Sequence, residues 1–223
     1  MLRDDENLFE CMSRFIADGV DPMAREAEIW NRYGETAAIL VLDSSGFSRV
    51  TESHGIIHFL SRLMLLRDIV KHIFDAHNCK RLHFNADNAL ASFETVDDAI
   101  VSARELHHRV YESELMLTDD DRFQVSIGIG YGAMLYSETL EGYFSEEVNF
   151  TSKLGEDIAR GDETRLTLSA YRNADPKLLT GFAPLQAEIS GVTIKHFRHV
   201  FRPEPDAAFS PWEAGRDIRS AGV

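Results

Sequence analysis

Two aspartates, each closing an apolar strand-like run, are the residues in this chain best suited to do chemistry. Asp43 ends the run Ala37-Ala38-Ile39-Leu40-Val41-Leu42 and is followed by Ser44-Ser45-Gly46-Phe47-Ser48. Asp87 stands in Leu82-His83-Phe84-Asn85-Ala86-Asp87-Asn88, with a second apolar run ending at Phe93. Neighbouring strands that deliver two carboxylates side by side make a site for a hard divalent cation. Such ions take oxygen ligands, and Mg²⁺ commonly uses one or two carboxylates together with substrate phosphates. The residues after Asp43 form a glycine-containing turn into a helix, where backbone N–H groups can hold phosphate. The pattern points to metal-assisted nucleotide chemistry.

The elements that must position these residues follow from periodicity. Residues 36–43 read as a buried strand, and residues 56–77 as a long helix with Ile57, Leu60, Leu63, Met64, Ile69, Val70, Ile73 and Phe74 on its apolar side. Residues 81–86 and 88–93 read as a hairpin with Asn85-Ala86-Asp87-Asn88 at its tip. A helix over 96–113, a strand over 122–136, a helix over 146–160, a strand over 165–168, a helix over 169–173 and a terminal strand pair turning at Ser190-Gly191 complete the order. Upstream, residues 1–35 read as a helical arm that breaks near Gly19–Pro22, and residues 203–223 as a tail rich in Pro, Gly and Asp. The order predicts an α+β fold, one sheet with helices mainly on one face. Gly128, Gly130 and Gly132 alternate along one face of their strand, which permits close approach of another backbone or a ligand.

Composition narrows the partners. The formal net charge of -14 argues against nucleic acid and anionic membranes, which need a basic footprint. Bound metal ions offset local negative charge, so a nucleotide remains admissible. Two cysteines, Cys11 and Cys79, indicate no disulfide framework and a reduced, cytoplasmic setting. No apolar run reaches membrane-spanning length.

Plainer readings exist for each residue. Asp43 alone is a helix cap, Asp87 alone a turn residue, and Asn149 and Lys153, four residues apart, a pair on one helix face. His83 alone reads as an edge-strand histidine. The histidines show no zinc spacing with cysteine. Asp119-Asp120-Asp121 reads as a solvated loop. Only the pairing of Asp43 with Asp87 lifts the set above these.

Four blocks in order make the chain resemble the catalytic domain of class III nucleotidyl cyclases, the adenylate and guanylate cyclases, in its stand-alone bacterial form. They are Leu42-Asp43-Ser44-Ser45-Gly46-Phe47-Ser48; His83-Phe84-Asn85-Ala86-Asp87 with its strand to Phe93; Ile127-Gly128-Ile129-Gly130-Tyr131-Gly132; and Gly142-Tyr143-Phe144-Ser145-Glu146-Glu147-Val148-Asn149-Phe150-Thr151-Ser152-Lys153. The resemblance covers roughly residues 36–202.

The resemblance implies a ferredoxin-like cyclase domain and conversion of a nucleoside triphosphate to a 3′,5′-cyclic nucleotide and pyrophosphate. It implies two Mg²⁺ or Mn²⁺ ions held by Asp43, Ser44 and Asp87, and phosphate contacts from Ser45, Gly46 and Phe47. It implies a homodimer with shared sites, in which the partner supplies Asn149 for the ribose and, in the place of the usual arginine, Lys153. Lysine keeps the charge but lacks the planar fork. The base-selecting positions hold His83 and Gly142, matching neither the adenine nor the guanine pattern. Ser190 stands where a triphosphate-binding lysine is usual, with Lys195 nearby in sequence. These departures leave open a pyrimidine cyclase of the antiphage type, a purine cyclase with other base contacts, and a degenerate domain that binds nucleotide or dimerises without turnover.

Overall fold

The computed structural model describes residues 6–138, 142–189 and 191–202. Ser190, residues 1–5 of the arm and residues 203–223 lie outside these.

Strand β1 (Gly34–Ser44) is the centre of the molecule. Residues Ala37 to Leu42 are all buried, as expected of a strand covered on both faces. It pairs antiparallel with β3 (Asn88–Phe93) on one side and with β6 (Val125–Ser137) on the other. The remaining strands are β2 (Cys79–Asn85), β7 (Gly142–Phe144), β8 (Glu163–Thr167), β9 (Ala183–Ile189) and β10 (Val192–Val200). The sheet order is β2-β3-β1-β6-β8-β10-β9, with β7 also pairing β6. Only β6 and β8 run parallel, so the sheet is mainly antiparallel and the fold is α+β. A separate small hairpin, β4 (Met116–Thr118) and β5 (Asp121–Arg122), replaces the expected solvated loop. Asp121 there forms an ion pair with Arg49, while Asp119 and Asp120 stay exposed in the turn.

One face of the sheet carries the main core. Helices α4 (Ile56–Ala76), α5 (Val96–Glu112) and α7 (Leu168–Asn173) pack there against Ala38, Leu40, Leu42, Ala91, Ile127 and Ile129. α5 starts where Thr95 accepts from the Asp98 amide, a side-chain cap for an otherwise unpaired donor. The stripe that α4 buries is Phe59, Leu63, Leu66, Val70, Ile73 and Phe74. Ile57, Leu60 and Met64, expected in that stripe, instead face solvent, 76%, 41% and 44% exposed. α4 is therefore apolar on two sides, and a single-face reading merged them.

The opposite face carries less. Helix α6 (Glu146–Ser152) continues into a π turn (Lys153–Ile158), packing over a smaller cluster of Ala37, Ile39, Val41, Met134, Tyr143 and Val148. Helices α1 (Leu8–Ala17) and α2 (Glu26–Tyr33) bury Leu8, Cys11, Phe15 and Ile29 together, touching the sheet near Leu135. α1 begins with a capping box in which Asn7 and Glu10 satisfy each other's backbone N–H groups. Short helix α3 (Phe47–His54) connects β1 to α4.

Candidate active site

Side chains alternate along β1. Ala38, Leu40 and Leu42 point into the main core, and Ala37, Ile39 and Val41 into the smaller cluster. Asp43 therefore lies on the α6 side and Ser44 on the other. The Ser44 hydroxyl is buried there without a hydrogen-bond partner among the described residues. Leu42 is paired with Ala89, so the β2–β3 hairpin tip adjoins the end of β1. That tip carries Asp87, and the two sequence-predicted aspartates are brought to one place.

The tip itself is held under strain. Ala86 adopts φ +50°, a left-handed conformation that costs a side-chain-bearing residue roughly 1–2 kcal/mol. Arg67 of α4 offsets this by donating to the Ala86 carbonyl while its guanidinium lies 4.8 Å over the Phe84 ring.

Electrostatics mark the site. Burial pushes the Asp43 carboxyl up to about 6, and the negative charges of Asp87, Glu156 and Asp157 add to the effect. Burial likewise raises the Glu156 carboxyl, with Asp157 and Asp87 contributing, while Lys153 and the Asn88 side chain oppose it. Among the described residues neither Asp43 nor Asp87 has a Lys or Arg partner. Like charges gathered without a counter-charge cost stability unless something positive joins them. The Asn88 side-chain oxygen beside them is buried and unbonded. An all-oxygen, uncompensated donor set of this kind fits a hard divalent cation. No three ligating side chains among the described residues converge closely enough to enclose an ion alone. A site that shares its ion with substrate phosphate does not need that closure.

The turn after Asp43 is built as expected of a phosphate loop, with one exception. Gly46 has φ +92°, which glycine adopts without steric penalty. No side chain caps the first turn of α3. The Ser45 amide, however, donates to the Gln124 carbonyl at 3.0 Å, and the Ser45 hydroxyl accepts from the Gln124 amide at 3.2 Å. Phe47 is 41% exposed and meets Phe59 edge-on at 5.0 Å.

The glycine row on β6 seats α6. A Cβ on Gly128 would collide with the Thr151 carbonyl and come within 2.8 Å of the Gly155 nitrogen. One on Gly130 would strike the Thr151 hydroxyl. Glu147 fills the space beside Gly130 and Gly132, accepting from the Tyr131 amide and from Thr167. The close approach expected of these glycines is thus made by the chain's own helix.

On that helix Asn149 is exposed, and Lys153 sits at the start of the π turn with its ammonium 4.0 Å from Asp157. Lys153 acts electrostatically on Glu156. His83 lies on β2 opposite Leu90, its Nε2 buried and unbonded, and Gly142 opens β7 opposite Ser137. Lys195 lines a separate cavity with Leu168, Gln186 and Phe197. Glu156 is the residue that sequence reasoning missed. Its only sequence signal was an acidic pair just beyond Lys153.

No protein-family model and no curated protein sequence matches the chain. Solved structures do. An adenylate/guanylate cyclase/hydrolase from Silicibacter pomeroyi superimposes with a TM-score of 0.66 at 20% identity, over 76% of this chain and 98% of that one. The guanylate cyclase domain of RhGC from Catenaria anguillulae, in complex with GTP, gives 0.61 at 14% identity, over 76% and 98%. A dimeric guanylyl cyclase domain from Blastocladiella emersonii gives 0.60 at 12%, over 74% and 96%. The chain has the fold of class III adenylate and guanylate cyclase catalytic domains, and the resemblance read from its four sequence blocks is borne out at the level of fold. Among the described residues no helix is long and apolar enough to cross a membrane.

Proposed function

We propose that the chain is a nucleotidyl cyclase, converting a nucleoside triphosphate to a 3′,5′-cyclic nucleotide and pyrophosphate in sites shared between two copies. The observation that carries this is the aspartate pair: Asp43 and Asp87 adjoin at the ends of neighbouring strands, without a Lys or Arg ion pair among the described residues, on the cyclase fold. Asp43 and Asp87 would hold Mg²⁺ or Mn²⁺, and Ser44 would take part through its backbone carbonyl, since its side chain points the other way. Bound divalent ions would neutralise triphosphate charge and ease deprotonation of the ribose 3′-hydroxyl. The amides of Gly46 and Phe47, at the uncapped start of α3, would receive phosphate. His83 and Gly142 would face the base.

Asn149 and Lys153 lie on the sparsely covered sheet face, and among the described residues no ion pair joins Lys153 to Asp43 or Asp87 of its own copy. A second copy laid against that face would bring them to its partner's site, Asn149 orienting the ribose and Lys153 stabilising charge on the transferring phosphoryl group. Both cysteines are unpaired, in keeping with a cytoplasmic setting.

A second reading, a domain that binds nucleotide without turnover, is favoured by one observation: the Lys153 ammonium is drawn toward Asp157. Incubating the protein separately with ATP, GTP, CTP and UTP plus Mn²⁺, and weighing the products, separates the two. A cyclic product lost in Asp43→Ala and Asp87→Ala supports the cyclase, and a pyrimidine product would indicate signalling of the antiphage type. No product from any of the four, with nucleotide still bound, supports the binding domain.

A further inference from the structure

We infer that Arg81 reads the nucleotide base, presenting one edge of its guanidinium to two adjacent acceptors, so that the site takes guanine or cytosine rather than adenine or uracil. This rests on the base-facing role proposed for His83 and Gly142 and adds to it a residue outside those two positions.

Leu82 and Phe84 of β2 pack on the main core, so Arg81 and His83 face the α6 side. They stand about 7 Å apart along the one strand. Opposite Arg81 on β3 is Ser92, which is fully buried. The Arg81 guanidinium lies 4.0 Å over the Tyr136 ring. Its Nη1 donates to both Glu35 oxygens, at 2.8 and 3.1 Å, and to the Tyr143 hydroxyl at 2.5 Å. Burial pushes the Tyr143 hydroxyl up to about 12, so it stays protonated and donates to Ser92 at 2.8 Å. Tyr143 directly follows Gly142 on β7. The anchored guanidinium is thus tied to both base positions, by strand register to His83 and by a hydrogen bond to the neighbour of Gly142.

The manner of anchoring leaves Arg81 a second use. A guanidinium that served only to pair with Glu35 would do best with two parallel N–H groups on the two carboxylate oxygens. Here all three acceptors crowd onto Nη1. Nε and Nη2 make no hydrogen bond among the described residues, and neither is a buried orphan, in a side chain 33% exposed. A lysine, with three donors on one nitrogen, would satisfy Glu35 and Tyr143 as well. The planar donor pair left over is what arginine alone supplies. Two parallel donors match two neighbouring acceptors, which guanine offers at O6 and N7 and cytosine at O2 and N3. Adenine sets its amino group beside N7 and N1, and uracil sets an N–H between its carbonyls, so neither offers such a pair. Two residues along the same face, the buried and unbonded Nε2 of His83 supplies a further polar contact.

The test is binding of ATP, GTP, CTP and UTP, each with Mn²⁺, to the full chain by equilibrium dialysis, with the products weighed in parallel. GTP or CTP is expected to bind about tenfold or more tighter than ATP and UTP. Arg81→Lys, which keeps a donor for Glu35 and Tyr143, should melt like the wild type and lose that preference. A second arm needs no variant: 7-deaza-GTP or 3-deaza-CTP, each lacking one acceptor of the pair, should bind the wild type about tenfold or more weakly than its parent nucleotide. Equal affinity for all four triphosphates, a preference for ATP or UTP, or a preference that survives both Arg81→Lys and the deaza analogue would overturn the inference, and cyclic product formed in those cases would leave the cyclase reading standing. A preference lost in both arms, in a protein that cyclises no triphosphate, would sustain the inference while the cyclase reading falls. Failure to bind any of the four would overturn both.

Discussion

The two faces of the sheet are built for opposite ends. The α4, α5 and α7 face is a continuous apolar core whose largest side chains, Phe59, Phe74, Phe93 and Phe123, are fully buried. The α6 face has a small apolar cluster, a glycine row, and carboxylates that repel one another at its edge. One face supplies stability and the other spends it on a site. The comparison predicts that substitutions of similar size will separate. Phe59→Ala, on the first face, should cost about 3–5 kcal/mol of unfolding free energy. Whatever folded protein remains should keep its affinity for Mn²⁺. Gly128→Ala, on the second, should cost less, about 1–3 kcal/mol, but should weaken Mn²⁺ binding and turnover together, because it lifts the π turn. Denaturant melts and metal titrations on both variants check this. Equal metal affinity in Gly128→Ala and wild type would break the division of labour.

The first face was largely legible from sequence and the second only in part. Long apolar runs such as Ala37–Leu42 and the capped pattern of α5 carry their own signals. α4 was misjudged because it is apolar on two sides, and periodicity alone does not say which side faces the sheet. On the second face, Asp43 and Asp87 were visible because each ends a strand. Glu156 was not, since its place depends on a π turn set by Gly155 meeting Gly128, a contact between residues distant in sequence. The same contact explains why the helix expected over 146–160 changes geometry at Lys153. The roles proposed for Asn149 and Lys153 call for a second copy of the chain, whose placement no pattern within one chain carries.

Acid and base titrations sharpen the contrast, since each face holds a displaced group of opposite sign. His107, buried on α5 against Thr164 and stacked on Phe201, is pushed down to about 3, first by burial and then by nearby His199, His108 and Arg122. Unfolded, it takes up a proton near 6.5, so the unfolded state binds more protons between those values. Stability should therefore fall as pH drops from 6.5 toward 3. Asp43 works the other way. Its folded value of about 6 lies above the ordinary 3.8, so stability falls as pH rises through that window and stays lower at pH 7. Asp43→Asn should raise metal-free stability at pH 7 by about 1 kcal/mol, after discounting for partial exposure, and give no gain below pH 4. It should also abolish the stabilisation that Mn²⁺ gives the wild type. Thermal melts at pH 7 and pH 4, with and without Mn²⁺, decide it. A destabilised Asp43→Asn at pH 7 would mean that the carboxylate already has a compensating partner.

The smallest expected effect tests whether strain on the second face belongs to the site or is incidental. Ala86 holds the tip of the β2–β3 hairpin at positive φ, immediately before Asp87. Glycine reaches that conformation freely, so Ala86→Gly removes a cost of roughly 1 kcal/mol in the folded state. It also gives back some of that gain by loosening the unfolded chain. A net stabilisation of about 0.5 kcal/mol is expected. If Arg67 and the strand register alone position Asp87, Mn²⁺ affinity should not change. If the alanine methyl also restricts the tip, the affinity should weaken although the protein is more stable. The second result would place Ala86 with the glycine row and the paired carboxylates, where stability is given up to fix geometry. The first would limit that exchange to the carboxylates and leave the hairpin backbone as an ordinary turn with an imperfect residue at its corner.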